Sequence, residues 1–166
     1  MSLFVVDSNF FIQAHRENYP LDIAFSFWNK VKELAQDGKI ISLDKVKNEI
    51  YDRNDALELW CKANLPENFF KDSTQIMAAY GQVVAWAVSM NTHYMPNALN
   101  EFLSAEEADA FIIAFALADH ENRVIVTQEK SELNRKNKIK IPDVCQAMSI
   151  QYVNTIDMFR QLGETF

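Results

Sequence analysis

Leu3-Phe4-Val5-Val6-Asp7-Ser8-Asn9 is the stretch on which the fold turns. Four apolar residues run directly into a carboxylate, a hydroxyl and a carboxamide. A continuous apolar run this short reads as a strand buried on both faces, as in a parallel sheet. Open α/β sheets bind ligands beyond the carboxyl ends of such strands, and Asp7 falls at that end. Asp7, Ser8 and Asn9 are also good helix N-caps, so this stretch alone leaves two readings, a cap or a site. What separates them is whether other carboxylates converge on Asp7.

Outward from this strand, Arg123-Val124-Ile125-Val126-Thr127 is a second buried run that ends in polar residues, Gln128 and Glu129. Lys39–Ser42 and Ile150–Val153 are shorter strand candidates. Between them the apolar period is helical. Ala24, Phe25, Trp28, Val31, Leu34 and Ala35 mark a helix from about Pro20 to Gln36, stopped by Gly38. A second helix, capped by Ser42 or Asp44, carries Leu43, Val46, Ile50, Leu57 and Trp60 on one face and fades near Leu65. A third runs from Ser73 to Met90, with Ile76, Tyr80, Val83, Val84, Ala87 and Val88 inward, and Asn91–Pro96 is a loop. Ser104 and Glu107 form a capping box ahead of a segment, Ala108–Ala118, that is apolar all round and therefore central. Short helices at Ile141–Cys145 and Ile156–Leu162 complete the pattern. Strands alternating with helices predict an α/β fold in three layers, a mainly parallel central sheet flanked by helices, in one domain over residues 1–166.

Composition narrows the function. Hydrophobic residues make up 49% of 166, with 3 Gly and 4 Pro, which fits a compact core without long linkers. The net charge of −7 argues against nucleic acid unless it is unevenly spread. It is uneven: Arg123–Lys140 carries six basic residues and a net +4, leaving −11 for the rest. Cys61 and Cys145 lack metal-ligand spacing and read as buried thiols. No stretch is apolar for long enough to span a bilayer, and no leader precedes the first strand, so a cytoplasmic protein without a membrane partner is expected. His15, His93 and His120 share no ligand spacing, and Trp28, Trp60 and Trp86 fall on apolar helix faces as core.

The chemistry lies in the acids. Asp7 and Glu129 follow strands that end at one sheet edge, and Asp109 sits inside an apolar helix where a lone charge is costly. Whether that helix starts at the same edge is open. Glu49 borders its helix's apolar face. Carboxylates driven together repel and their pKa values rise. The usual resolution is a hard cation such as Mg²⁺ or Mn²⁺, held by carboxylates and water, and such ions assist displacement at phosphorus. Converging acids with no histidine or cysteine set thus point to metal-assisted phosphodiester hydrolysis.

Val5-Val6-Asp7-Ser8-Asn9, Glu49, Glu107-Ala108-Asp109-Ala110 and Val126-Thr127-Gln128-Glu129, in that order, resemble the PIN-domain nucleases over nearly the whole chain. The closest likeness is to the bacterial branch that includes toxins of toxin–antitoxin pairs. Tyr19-Pro20-Leu21-Asp22 and Ile141-Pro142-Asp143-Val144-Cys145 are similar to one subgroup. The resemblance implies a Mg²⁺- or Mn²⁺-dependent endoribonuclease in which Asp7, Glu49 and Asp109 are metal ligands and catalytic acids. Asn9 and Thr127 lie beside them as polar positions that orient ligands or phosphate. Lys130 and Arg135, in the basic segment next to Glu129, are candidates to grip the substrate backbone. The partners implied are RNA, a protein antitoxin and a second copy of the chain. The family commonly has aspartate in the fourth motif. Here Glu129 supplies that carboxylate on a longer arm, and Asp143 is its alternative. A non-catalytic interaction module of the same fold, and a phosphotransfer domain with Asp7 as nucleophile, are the competing readings. The second lacks a partner acid, since Asn9 stands two residues after Asp7.

Overall fold

The structure, a computed structural model, describes residues 2–166. Leu3–Val6 (β1) is the central strand. It pairs in parallel with Ile40–Leu43 (β2) on one side and Arg123–Val126 (β4) on the other. Phe70–Lys71 (β3) and Tyr152–Val153 (β5) form the edges, giving the all-parallel order β3-β2-β1-β4-β5. Val5, Val6, Ile125 and Val126 are wholly enclosed, as a sheet covered on both faces requires.

The chain winds away from β1 in two directions. It first passes through Ser8–Gln13 (α1) and Phe25–Gln36 (α2) to β2, then through Asp44–Tyr51 (α3) and Ala56–Asn64 (α4) to β3. It returns through Met77–Ser89 (α5), Pro96–Phe102 (α6) and Asp109–Leu117 (α7) to β4. Ile141–Met148 (α8) leads to β5, and Thr155–Leu162 (α9) follows. Right-handed crossovers that travel in opposite directions put their helices on opposite faces. Accordingly α3 packs against α1 and α4, while α5 and α8 pack on α7. α9 joins the first layer, where Phe159 and Phe166 meet Phe27. The result is the expected three-layer α/β fold. The winding reverses between β1 and β4, and that is where a crevice opens beyond the strands' carboxyl ends.

Several boundaries differ from the sequence expectation, each for a local reason. α2 starts at Phe25, because the Pro20 carbonyl accepts from Ile23 and Ala24 in a separate turn and Ala24 leaves helical geometry. Gly38 is left-handed as expected, at φ 71°. The predicted long helix after β2 is two, α3 and α4. Asn54 turns left-handed at φ 55°, and the Asp55 side chain accepts from the Glu58 N–H to start α4. Neither Ser42 nor Asp44 caps α3 from Ncap: the Ser42 hydroxyl donates to the Val6 carbonyl at 2.6 Å, and Asp44 holds Ser73. α6 had no counterpart in the sequence reading, although Pro96 stands in its first turn. The Ser104–Glu107 box makes a turn, and α7 begins only at Asp109. Val88 is exposed on α5, Trp28 is buried, and Trp60 and Trp86 are half-buried. Cys61 and Cys145 are free and buried. No helix among the described residues is long and apolar enough to cross a membrane.

Candidate functional site

Asp7 leaves β1 directly into the crevice and is buried. It fills the capping role that the sequence allowed. Its Oδ1 accepts from the Phe10 N–H at 3.0 Å and caps α1. The carboxyl also takes a hydrogen bond from the Thr127 hydroxyl at the end of β4 and feels the charges of Glu129 and Glu49. Burial, the largest influence, pushes Asp7 up to about 7. The two glutamates add to the rise, and Phe10 and Thr127 oppose it.

Asp109 reaches the same crevice from the other layer. A helix that returns the chain to the start of a parallel strand runs antiparallel to it. The first residue of α7 therefore lies beyond the carboxyl ends of β1 and β4. Asp109 keeps some exposed surface, but its carboxyl is crowded by protein. Burial holds it well above the usual carboxylate range. Glu129, Asp7 and Glu49 push the same way, and Lys138 pulls against them.

Glu49 and Glu129 are both anchored by backbone. Glu49 projects from α3, and its Oε1 accepts from the Ala108 N–H at 3.1 Å, so a side chain from the opposite layer starts α7. Glu129 Oε2 accepts from the Ile141 N–H at 2.8 Å, which starts α8. The Thr127 hydroxyl accepts from the Glu129 N–H at 3.1 Å while it donates to Asp7. Thr127 is thus buried and spent on positioning these two acids. Each glutamate keeps its second oxygen free of these caps.

The remaining candidates divide. Asn9 is exposed on the first turn of α1, two residues from Asp7. Lys130 is exposed and lines, with Thr127, Glu129 and Asn154, a cleft of ≈ 480 Å³ beyond β4 and β5. Arg135 is exposed farther along the loop and bonds Asn137 and Glu132. Asp143 is not among the charges that act on Asp7 or Asp109. It accepts from the Ser131 hydroxyl and the Glu132 N–H, and so holds the loop. Glu129 is therefore the acid that meets Asp7 and Asp109. Lys138, Glu107 and Glu101 were not singled out by sequence reasoning, though they lie in one small pocket with Asp109. Burial and Glu49 raise Glu107. Lys138 is one of six basic residues in Arg123–Lys140, and the sequence gives no signal for the one that turns inward.

The donor set is all oxygen, four carboxylates against one ammonium, which is the chemistry of a hard divalent cation. As the side chains stand, no three acids, histidines or cysteines among the described residues form a ready ligand group. Mg²⁺ keeps several waters and needs only one or two direct carboxylates. Asp7 and Asp109 are the residues that could hold such an ion.

Fold and site together define a doubly wound parallel α/β domain with a carboxylate-lined switch point. Within that class, the chain belongs to the family described as "Domain of unknown function (DUF4411)", whose model matches residues 4–166. No curated protein and no solved structure matches the chain.

Proposed function

We propose that the protein is a PIN-like, Mg²⁺- or Mn²⁺-dependent endoribonuclease, of the kind found as toxins in toxin–antitoxin pairs. One observation carries this reading. Asp7 and Asp109, about a hundred residues apart, meet at the switch point with both carboxyls pushed up by burial and by Glu49 and Glu129. A bound divalent ion supplies charge that offsets this repulsion, polarises a phosphoryl oxygen and activates water. Asp7 and Asp109 would hold the ion, whose charge would favour their ionised forms. The free oxygens of Glu49 and Glu129 orient water from either side, and the Thr127 hydroxyl keeps Asp7 and Glu129 in register. Asn9, exposed beside Asp7, offers its amide to a phosphate oxygen. Lys130 and Arg135 hold the flanking backbone by charge.

The test is Mn²⁺-dependent cleavage of a mixed RNA pool by the wild type and by Asp7→Asn and Asp109→Asn. Both substitutions remove charge with little change in shape. Each variant should stay folded and lose cleavage by at least about 10³-fold, the scale seen when a group central to charge stabilisation is removed. Full cleavage by either variant overturns the assignment. A second reading, a non-catalytic interaction module, draws support from the backbone caps that occupy one oxygen of each glutamate. It predicts no Mn²⁺ binding by calorimetry in a folded wild type.

A further inference from the structure

Lys138 is a basic side chain whose charge acts on both Asp109 and Glu107. Its Nζ donates to Glu101 Oε1 on α6 at 3.0 Å, and it shares one small pocket with Glu101, Glu107 and Asp109. The loop has a second tie to the same region. Two residues earlier, the Met95 N–H donates to the Lys136 carbonyl at 2.8 Å. The Lys138 side chain is 29% exposed, so its ammonium borders both the pocket and solvent. An ion pair at such a surface contributes at most about 1 kcal/mol. Lysine is a compact charge on a flexible stem. It can exchange Glu101 for another anion without moving the backbone.

We propose that Lys138 is a phosphate-gripping residue of the acidic site, parked on Glu101 until RNA arrives. The proposal rests on the nuclease reading above and adds a substrate contact to it. A cation beside buried acids acts in two opposite ways. It repels an incoming divalent ion and attracts a phosphate of the substrate. A lysine that only tied the loop to Glu101 would not exchange that partner for phosphate. Glu101 is then the resting partner, which gives up the ammonium when a phosphate arrives.

The experiment uses the full chain and two variants, Lys138→Met and Glu101→Gln, with melting temperatures to establish that both fold. Binding of a single-stranded oligoribonucleotide is followed by fluorescence anisotropy in EDTA across a salt series, and Mn²⁺ binding by calorimetry without RNA. Lys138→Met should bind RNA about tenfold more weakly at low salt, with the salt slope lowered by about 0.7 for one lost contact. The same variant should bind Mn²⁺ about fivefold more tightly, the scale of one charge acting on a divalent ion across several ångströms of water. Glu101→Gln frees the ammonium and should bind RNA at least as well as the wild type. Equal weakening of RNA binding by both variants means a tether and overturns the proposal. So does a Lys138→Met variant with unchanged RNA and Mn²⁺ affinity. A wild type that binds Mn²⁺ and cuts RNA alongside such a variant fails this proposal alone. A wild type that binds no Mn²⁺ fails the nuclease reading and this proposal with it.

Discussion

The two ends of β4 each carry charge into the protein and treat it differently. At the start, the Arg123 guanidinium donates to the Phe115 carbonyl in the last turn of α7 and lies 3.8 Å from the Phe115 ring. A cation at a helix C-terminus and over an aromatic face is doubly favoured. Beyond the other end, the Glu129 charge acts on Asp7 and Asp109, and Lys138 is a cation that it also acts on. One strand thus ends in a settled charge and in an unsettled one. The settled end holds the fold together, and the unsettled end marks where a ligand would relieve strain.

The largest expected effect follows from removing the charge at the unsettled end. In the folded, metal-free chain Asp7 keeps its proton up to about pH 7, against a usual value of 3.8. Between those values the folded state binds the extra proton. The stability Asp7 contributes is therefore full below pH 4 and is lost as pH rises through 7. Asparagine is an equally good cap, so Asp7→Asn leaves α1 capped. Urea unfolding in EDTA should find Asp7→Asn level with wild type near pH 4 and more stable at pH 8, by up to roughly 4 kcal/mol. A difference that does not grow with pH breaks the contrast.

A smaller effect belongs to the settled end. Arg123→Met loses a charged hydrogen bond and a cation–π contact, and should cost about 2 kcal/mol at every pH from 5 to 8. On the proposed metal-dependent reading, saturating Mg²⁺ should raise the melting temperature of both this variant and the wild type by about 5 °C, as expected of a ligand specific to the folded state. Loss of that rise in Arg123→Met would couple the two ends. The smallest effect separates the two duties of Glu49. Glu49→Ala removes the acceptor that starts α7 and should cost about 1 kcal/mol in denaturant unfolding. Glu49→Gln keeps the acceptor and removes the charge, so its stability should match or exceed wild type. Equal losses for both would show that the charge, not the cap, is what α7 uses.

β1, β4 and α7 were legible in the sequence because each is a continuous apolar run with a polar residue at its end. The order of Asp7, Glu49, Asp109 and Glu129 was legible too. Their meeting was not, because it depends on α7 running antiparallel to β4 across the layers. The start of α7 was misread for a related reason. Ser104 and Glu107 supply a good local capping signal, yet the acceptor for Ala108 comes from Glu49, 59 residues away. The break between α3 and α4 lies in Asp52-Arg53-Asn54-Asp55, where Asn54 turns left-handed and Asp55 caps the next helix, while the apolar face runs on in helical period across it. Lys138 was hidden among five other basic residues, since which one turns inward is decided by Glu101 on a helix the sequence did not reveal.

The pairing of β1 has a consequence for how the protein is made. Leu3 leaves the ribosome early, but its partner Arg123 emerges some 120 residues later. A parallel neighbour so distant along the chain is slow to arrive and slow to find. Until β4 docks, one edge of the central strand stands open to any other strand. Asp7 waits through the same interval without Thr127, Glu129 or Asp109. The acidic crevice is therefore assembled only once most of the chain has been synthesised, and the chain is most prone to aggregate just before β4 closes that edge.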